Sequence, residues 1–157
     1  LDQIKRTAEQ LKQMLAKATR LVTPDWNAPF TVIVDSGESG VAGAVGQMRE
    51  DVFYPVAFAS RRWSKSEQSL WATEKELRGI VFMLLDRFRA FTHGKVFVVT
   101  DSQSLQQIQL RRAGLHATAQ KKLVRDFIEL MNLDVTFVFR KRAELADVDF
   151  LNKHALE

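Results

Sequence analysis

The chain has no cysteine among its 157 residues. Disulfides and thiolate metal sites are therefore both excluded, and a reducing compartment is allowed without being proved. Long apolar runs are missing too. None approaches the roughly 20 residues that span a bilayer, and the first residues do not make a secretory signal, so no membrane partner is expected. Strong charge of one sign is lacking: the formal net charge is +4. That permits a polyanionic partner without demanding one. Prolines number only three, and two of them fall close together in Thr23-Pro24-Asp25-Trp26-Asn27-Ala28-Pro29, which reads as a linker. What remains is the composition of one soluble globular domain, 46% hydrophobic and 27% charged, large enough to bury a core.

Periodicity divides the chain. Residues 1–20 read as a helix, with Ile4, Ala8, Leu11, Leu15 and Ala18 at helical spacing. Residues 30–35, 41–48 and 53–60 read as three strands, the first two joined by the turn Ser36-Gly37-Glu38-Ser39-Gly40. The second strand is rich in Gly and Ala, which suits close approach of another backbone or side chain. The period then lengthens. Trp71, Leu77, Ile80, Val81, Leu84, Leu85 and Phe88 mark one long helix over about 67–91. A fully apolar strand at 95–100 predicts a central position. Helices at 102–110, 117–131 and 145–154 and a strand at 135–139 complete the pattern, a mixed α/β sheet opened by an antiparallel meander.

Three acids stand out. Asp35 closes the run Phe30-Thr31-Val32-Ile33-Val34, and Asp101 closes Val96-Phe97-Val98-Val99-Thr100. Glu76 lies on the helix between them. Carboxylates are rarely buried unless paired or holding a cation. If the two strands are neighbours, their acids sit together at a carboxyl edge, where α/β sheets gather functional groups. A carboxylate cluster without cysteine or a histidine pair selects a hard ion such as Mg²⁺ over zinc. The alternative is that each Asp caps a turn or the helix after it. Glu74 is a second candidate on the helix, but it has Arg78 at i+4, the orientation of an ordinary surface ion pair. Glu76 has Gly79 at i+3 and Ile80 at i+4, neither of them a cation, and is the better candidate.

The ordered blocks around these acids resemble a known family. Pro24-Asp25-Trp26-Asn27-Ala28-Pro29-Phe30, Val34-Asp35-Ser36, Pro55-Val56-Ala57-Phe58-Ala59-Ser60-Arg61-Arg62-Trp63-Ser64, Thr73-Glu74-Lys75-Glu76-Leu77 and Thr100-Asp101-Ser102-Gln103-Ser104-Leu105 are similar to the ribonuclease H domain of gypsy-type LTR retrotransposon reverse transcriptases. The resemblance implies a five-stranded mixed sheet flanked by helices over 24–157, with 1–23 as the end of the polymerase's connecting region. It implies endonucleolytic cleavage of the RNA strand of RNA/DNA hybrids, beside the polymerase portion of the same polyprotein. It also implies a cytoplasmic setting, in a virus-like particle or replication complex.

Carried over by position, the family's metal ligands fall on Asp35, Glu76, Asp101 and Asp149, with Asp147 as a register alternative to the last. Two Mg²⁺ ions, replaceable by Mn²⁺, are implied about 3.5–4 Å apart, with Asp35 between them. The expected products carry 5′-phosphate and 3′-hydroxyl ends. Gly37 and its turn, with Ser102 and Gln103, are expected against the RNA strand. Arg61, Arg62, Lys65, Arg78 and Arg140 are expected at phosphates. Trp63 and Trp71 are expected to be core or packing residues, with base-stacking platforms as the alternative, and His93, His116 and His154 to lie on the surface. In the C-terminal block the usual Gly and Asn are absent, and Phe139 stands where many members carry a His. The competing class is therefore a weak or non-catalytic tether with the same fold. A DNA-directed nuclease or integrase fits less well, because integrases place their Glu late in the chain.

Overall fold

The computed structural model describes residues 22–50, 52–101 and 121–139. The helices expected at 1–20, 102–110 and 145–154 lie outside them, as do Ser102, Gln103, Arg140 and Asp149. Strands β1 (Phe30–Ser36), β2 (Gly40–Arg49) and β3 (Val52–Arg62) form the antiparallel meander; β4 (Val96–Thr100) and β5 (Val135–Phe139) add to it in parallel. The order across the five-stranded sheet is β3-β2-β1-β4-β5. β4 takes the interior place its apolar run predicted. Each strand matches its expected span to within one or two residues.

Local chemistry explains the irregular places. β3 is an edge strand, the one position where Pro55 can sit within a sheet, and the β2–β3 register shifts between Val45 and Gly46 opposite it. The small residues of β2 admit what packs on them. A Cβ on Gly43 would strike the Ile33 carbonyl and crowd Met83 at 3.0 Å.

The single long helix expected over 67–91 is three pieces. Ser64 caps α1 (Lys65–Gln68), its Oγ accepting from Glu67 N–H while Glu67 Oε2 accepts from Ser64 N–H at 2.9 Å, a reciprocal capping box. The chain breaks at 69–71 and restarts as α2 (Ala72–Val81). It then widens into a π-helical segment, Phe82–Arg87, closed by the bond from Phe88 N–H to the Met83 carbonyl at 2.8 Å. The widened turn lets four consecutive side chains, Phe82 to Leu85, all be buried. A 3₁₀ turn, Arg89–Phe91, ends the stretch. Helix α3 (Lys121–Met131) packs against α2. The core joins Val32, Val34, Val45, Val96 and Val98 of the sheet to Leu77, Ile80, Met83, Leu84 and Leu130 of the helices.

Candidate active site

The parallel ladder between β1 and β4 runs from Phe30 beside Val96 to Ile33 beside Val99, at a constant offset of 66 residues. Continued two steps past its last pair at the same offset, this register leads Asp35 toward Asp101, the residue that follows β4. Neighbouring strands lie about 4.8 Å apart, so the two strand-end acids share one corner of the sheet. On its other side Asp35 pairs with Ala42, which adds no bulk. Both acids are half-buried.

Glu76 is carried on α2, which crosses the end of β1 closely. A glycine inside a helix costs about 1 kcal/mol relative to alanine, and Gly79 shows why it is tolerated. A Cβ there would collide with Ser36 Oγ and crowd Val41 Cγ2 at 3.0 Å. Glu76 stands one turn earlier on the same face of α2, since i and i+3 are helical neighbours. One oxygen each of Asp35 (Oδ1), Ser36 (Oγ) and Glu76 (Oε2) is sealed from solvent. Among the described residues, no three acid, imidazole or thiol side chains stand close enough to form a ready-made metal cage. The chemistry of the donors nonetheless fits a hard divalent cation: all are carboxylate oxygens, from two adjoining strand ends and the helix above them.

The turn beside the corner is pinned at four successive carbonyls. Gly37 accepts from Trp63 Nε1 at 2.9 Å, Glu38 from Lys75 Nζ at 3.0 Å, Ser39 from Trp63 N–H at 3.0 Å and Gly40 from Gly37 N–H at 2.8 Å. Trp63 is buried, as expected. The roles of Trp63 and Lys75 in fixing the turn escape sequence reading, because their partners are backbone oxygens 26 and 37 residues away.

Two of the expected phosphate contacts are engaged elsewhere. Arg61 donates twice to Glu67, at 2.7 Å each, with its guanidinium stacked over Trp63 and Phe82. Arg78 Nε donates to the same carboxylate at 2.9 Å, and its other nitrogens face Asp86 and Asp126 at 3.5 Å. The hydrogen bonds from Arg61 hold the Glu67 carboxyl far below the usual carboxylate range, overcoming the opposing effect of burial; hydrogen bonds from Ser64 and Arg78 add to the effect. The same pairing raises Arg61. Arg78 does not pair with Glu74, as its spacing had suggested. Glu74 Oε2 instead accepts from Trp71 N–H at 2.9 Å. Arg62 and Lys65 are exposed, as is His93. Trp71 corrects the expectation of packing: it is 80% exposed.

Comparisons with known proteins bear on the fold and the family. A family described as an RNase H-like domain found in reverse transcriptase matches residues 2–99. The retrovirus-related Pol polyprotein from transposon 412 of Drosophila melanogaster is 27% identical over 93% of this chain, which spans 12% of that polyprotein. Among solved structures, the foamy viral protease-reverse transcriptase in complex with RNA/DNA hybrid superimposes with a TM-score of 0.62 at 19% identity, over 90% of this chain and 19% of that one. LC11-RNase H1 in complex with RNA/DNA hybrid gives 0.53 at 14% identity, over 78% of this chain and 92% of the other. At these identities the structures show a common fold, the five-stranded RNase H-like sheet. With its strand-end acids and their helical neighbour arranged on that sheet, this chain belongs to the family of RNase H-like domains found in reverse transcriptase.

Proposed function

We propose that the domain is an endonuclease that cleaves the RNA strand of RNA/DNA hybrids during reverse transcription, in the Pol polyprotein of a gypsy-type LTR retrotransposon. The observation that supports this reading best is the parallel β1–β4 register, whose continuation leads Asp35 toward Asp101. Asp35, Glu76 and Asp101 are the ligands proposed for two Mg²⁺ or Mn²⁺ ions, with Asp149, outside the described residues, as the fourth. When bound, the ions would supply an activated water and charge stabilisation at the leaving oxygen. The chain's own part is to present oxygen donors at fixed spacing and to hold the hybrid against them. Attack by water on the scissile phosphorus breaks the bond to the 3′ oxygen, which takes up a proton. The ends left are 5′-phosphate and 3′-hydroxyl.

One observation favours a second reading, a tether that binds hybrid without cutting it. The C-terminal block lacks the usual Gly and Asn, and Phe139 stands where many members carry a His. A labelled hybrid incubated with Mg²⁺, beside duplex DNA and single-stranded RNA, separates the two. Selective cutting of the hybrid, lost in Asp35→Asn and Asp101→Asn while far-UV circular dichroism is unchanged, is the expected result. Near-normal cutting by either variant overturns the site assignment, and saturable binding with no cutting by the wild type establishes the tether.

A further inference from the structure

Trp63 is only 3% exposed, and its indole N–H donates to the Gly37 carbonyl at 2.9 Å. Phenylalanine would fill most of the same space without a donor. A buried indole N–H needs a partner, and here the partner is the tip of the hairpin that follows Asp35. The Trp63 backbone N–H holds that tip a second time, through the Ser39 carbonyl at 3.0 Å. Packing is as close as backbone permits, since a Cβ on Gly40 would strike the Arg61 carbonyl. The hairpin tip is therefore fastened to the end of β3.

That end of β3 is fastened in turn to α2. The Arg61 guanidinium lies over the Trp63 ring at 5.3 Å and donates twice to Glu67. Glu67 also accepts from Arg78 of α2 at 2.9 Å. On the other side Lys75, again on α2, reaches back to the Glu38 carbonyl at 3.0 Å. The contacts close a ring: hairpin tip, Trp63, Arg61, Glu67, Arg78, Lys75 and the hairpin tip again. Asp35 stands two residues before Gly37, and Glu76 stands between Lys75 and Arg78. Two of the proposed ligands are thus carried on opposite sides of one closed frame. Ligand groups hold a cation well when surrounding bonds fix them before it arrives. The Trp63 indole is the link of this frame that grips the chain nearest to Asp35.

We infer that Trp63 is a positioning residue whose indole N–H sets the spacing of Asp35 and Glu76 for a divalent cation. The inference rests on the metal-ligand reading above, but its test separates the two. Mn²⁺ binding is measured by electron paramagnetic resonance, without nucleic acid, in the 157-residue chain. Trp63→Phe deletes the donor. Trp63→benzothienylalanine, with sulfur in place of the N–H, deletes it while keeping the whole ring system, so packing is preserved. Removing a group bonded directly to a metal ligand costs roughly 10–100-fold in affinity. Trp63 acts through backbone, so the Mn²⁺ Kd is expected to rise about three- to tenfold in both variants. Trp26→Phe, beyond the other end of β1, keeps the wild-type value. With hybrid present, the Mn²⁺ concentration for half-maximal cutting rises by the same factor, and saturating Mn²⁺ restores the rate. A merely structural role would lower the plateau and leave that midpoint in place. A benzothienylalanine variant whose Mn²⁺ Kd stays within about 1.5-fold of wild type overturns the inference and leaves the nuclease reading intact. A wild type that binds Mn²⁺ through the indole's help but does not cut hybrid keeps the inference and ends the nuclease reading. A wild type that binds no Mn²⁺ ends both.

Discussion

Lys75 Nζ donates to the Glu38 carbonyl at 3.0 Å, so the residue immediately before Glu76 ties α2 to the turn that follows Asp35. Helix and turn therefore move together. Lys75→Met keeps the length of the side chain and deletes the donor. It should lower stability by about 0.5–1 kcal/mol, the usual net worth of one hydrogen bond. Amide exchange at 37–40 should rise, and kcat/KM on hybrid should fall several-fold. Unchanged exchange in the turn would show that Trp63 holds it alone.

The close crossing of α2 over β1 makes a second prediction. Gly79→Ala improves helix propensity by about 1 kcal/mol, yet overpacking against Ser36 and Val41 should leave a net loss of about 1–3 kcal/mol. Ser36 Oγ is buried and makes no hydrogen bond, so Ser36→Ala alone should be close to neutral. Adding it to Gly79→Ala should recover part of the loss. A double-mutant cycle in urea measures this coupling, and additive effects would place the clash elsewhere.

Glu67 holds Arg61 and Arg78 together, with its own side chain only 13% exposed. Glu67→Ala leaves two guanidiniums short of their shared acceptor and should cost about 1–3 kcal/mol in chemical denaturation. Arg61 also loses the partner that aligns it over the Trp63 and Phe82 rings. A loss comparable to that of an ordinary surface pair, under about 0.5 kcal/mol, would mean that Asp86 and Asp126 take over.

The same carboxylate sets a pH dependence. Its folded pKa is lowered, chiefly by the Arg61 hydrogen bonds, so the folded state holds the proton less tightly than the unfolded chain. Its stabilising contribution is present above the ordinary glutamate pKa and is lost as pH falls toward the lower folded value. Glu67→Gln, which keeps the shape without the charge, should flatten that part of the acid limb of stability against pH. An acid limb parallel to that of the wild type would contradict this.

The strands were legible in the sequence because half-buried strands alternate and the turn at 36–40 is rich in Gly and Ser. The meeting of Asp35 and Asp101 was expected from the resemblance and not from periodicity, which cannot reveal a parallel pairing. Apolar spacing over 67–91 suggested one helix because it counts buried positions and is blind to the break at 69–71. It also misplaced Trp71, whose ring stands at the helix mouth, outside the buried stripe. Arg78 was matched to Glu74 because spacing sees only partners on the same helix. Its strongest partner, Glu67, sits 11 residues back. Gly79 was the overlooked signal: a glycine inside an otherwise good helix points to a close crossing.

The constant offset between β1 and β4 also orders the birth of the domain. The meander closes through hairpins between neighbours in sequence, whereas the rung that unites the two strand-end acids must first close a loop of 66 residues. Such long-range closures form slowly and late. A nascent or truncated chain that stops before β4 contains Asp35, but it has no second strand-end acid to set beside it. The corner where the two acids are proposed to meet is thereby completed only once β4 has been made.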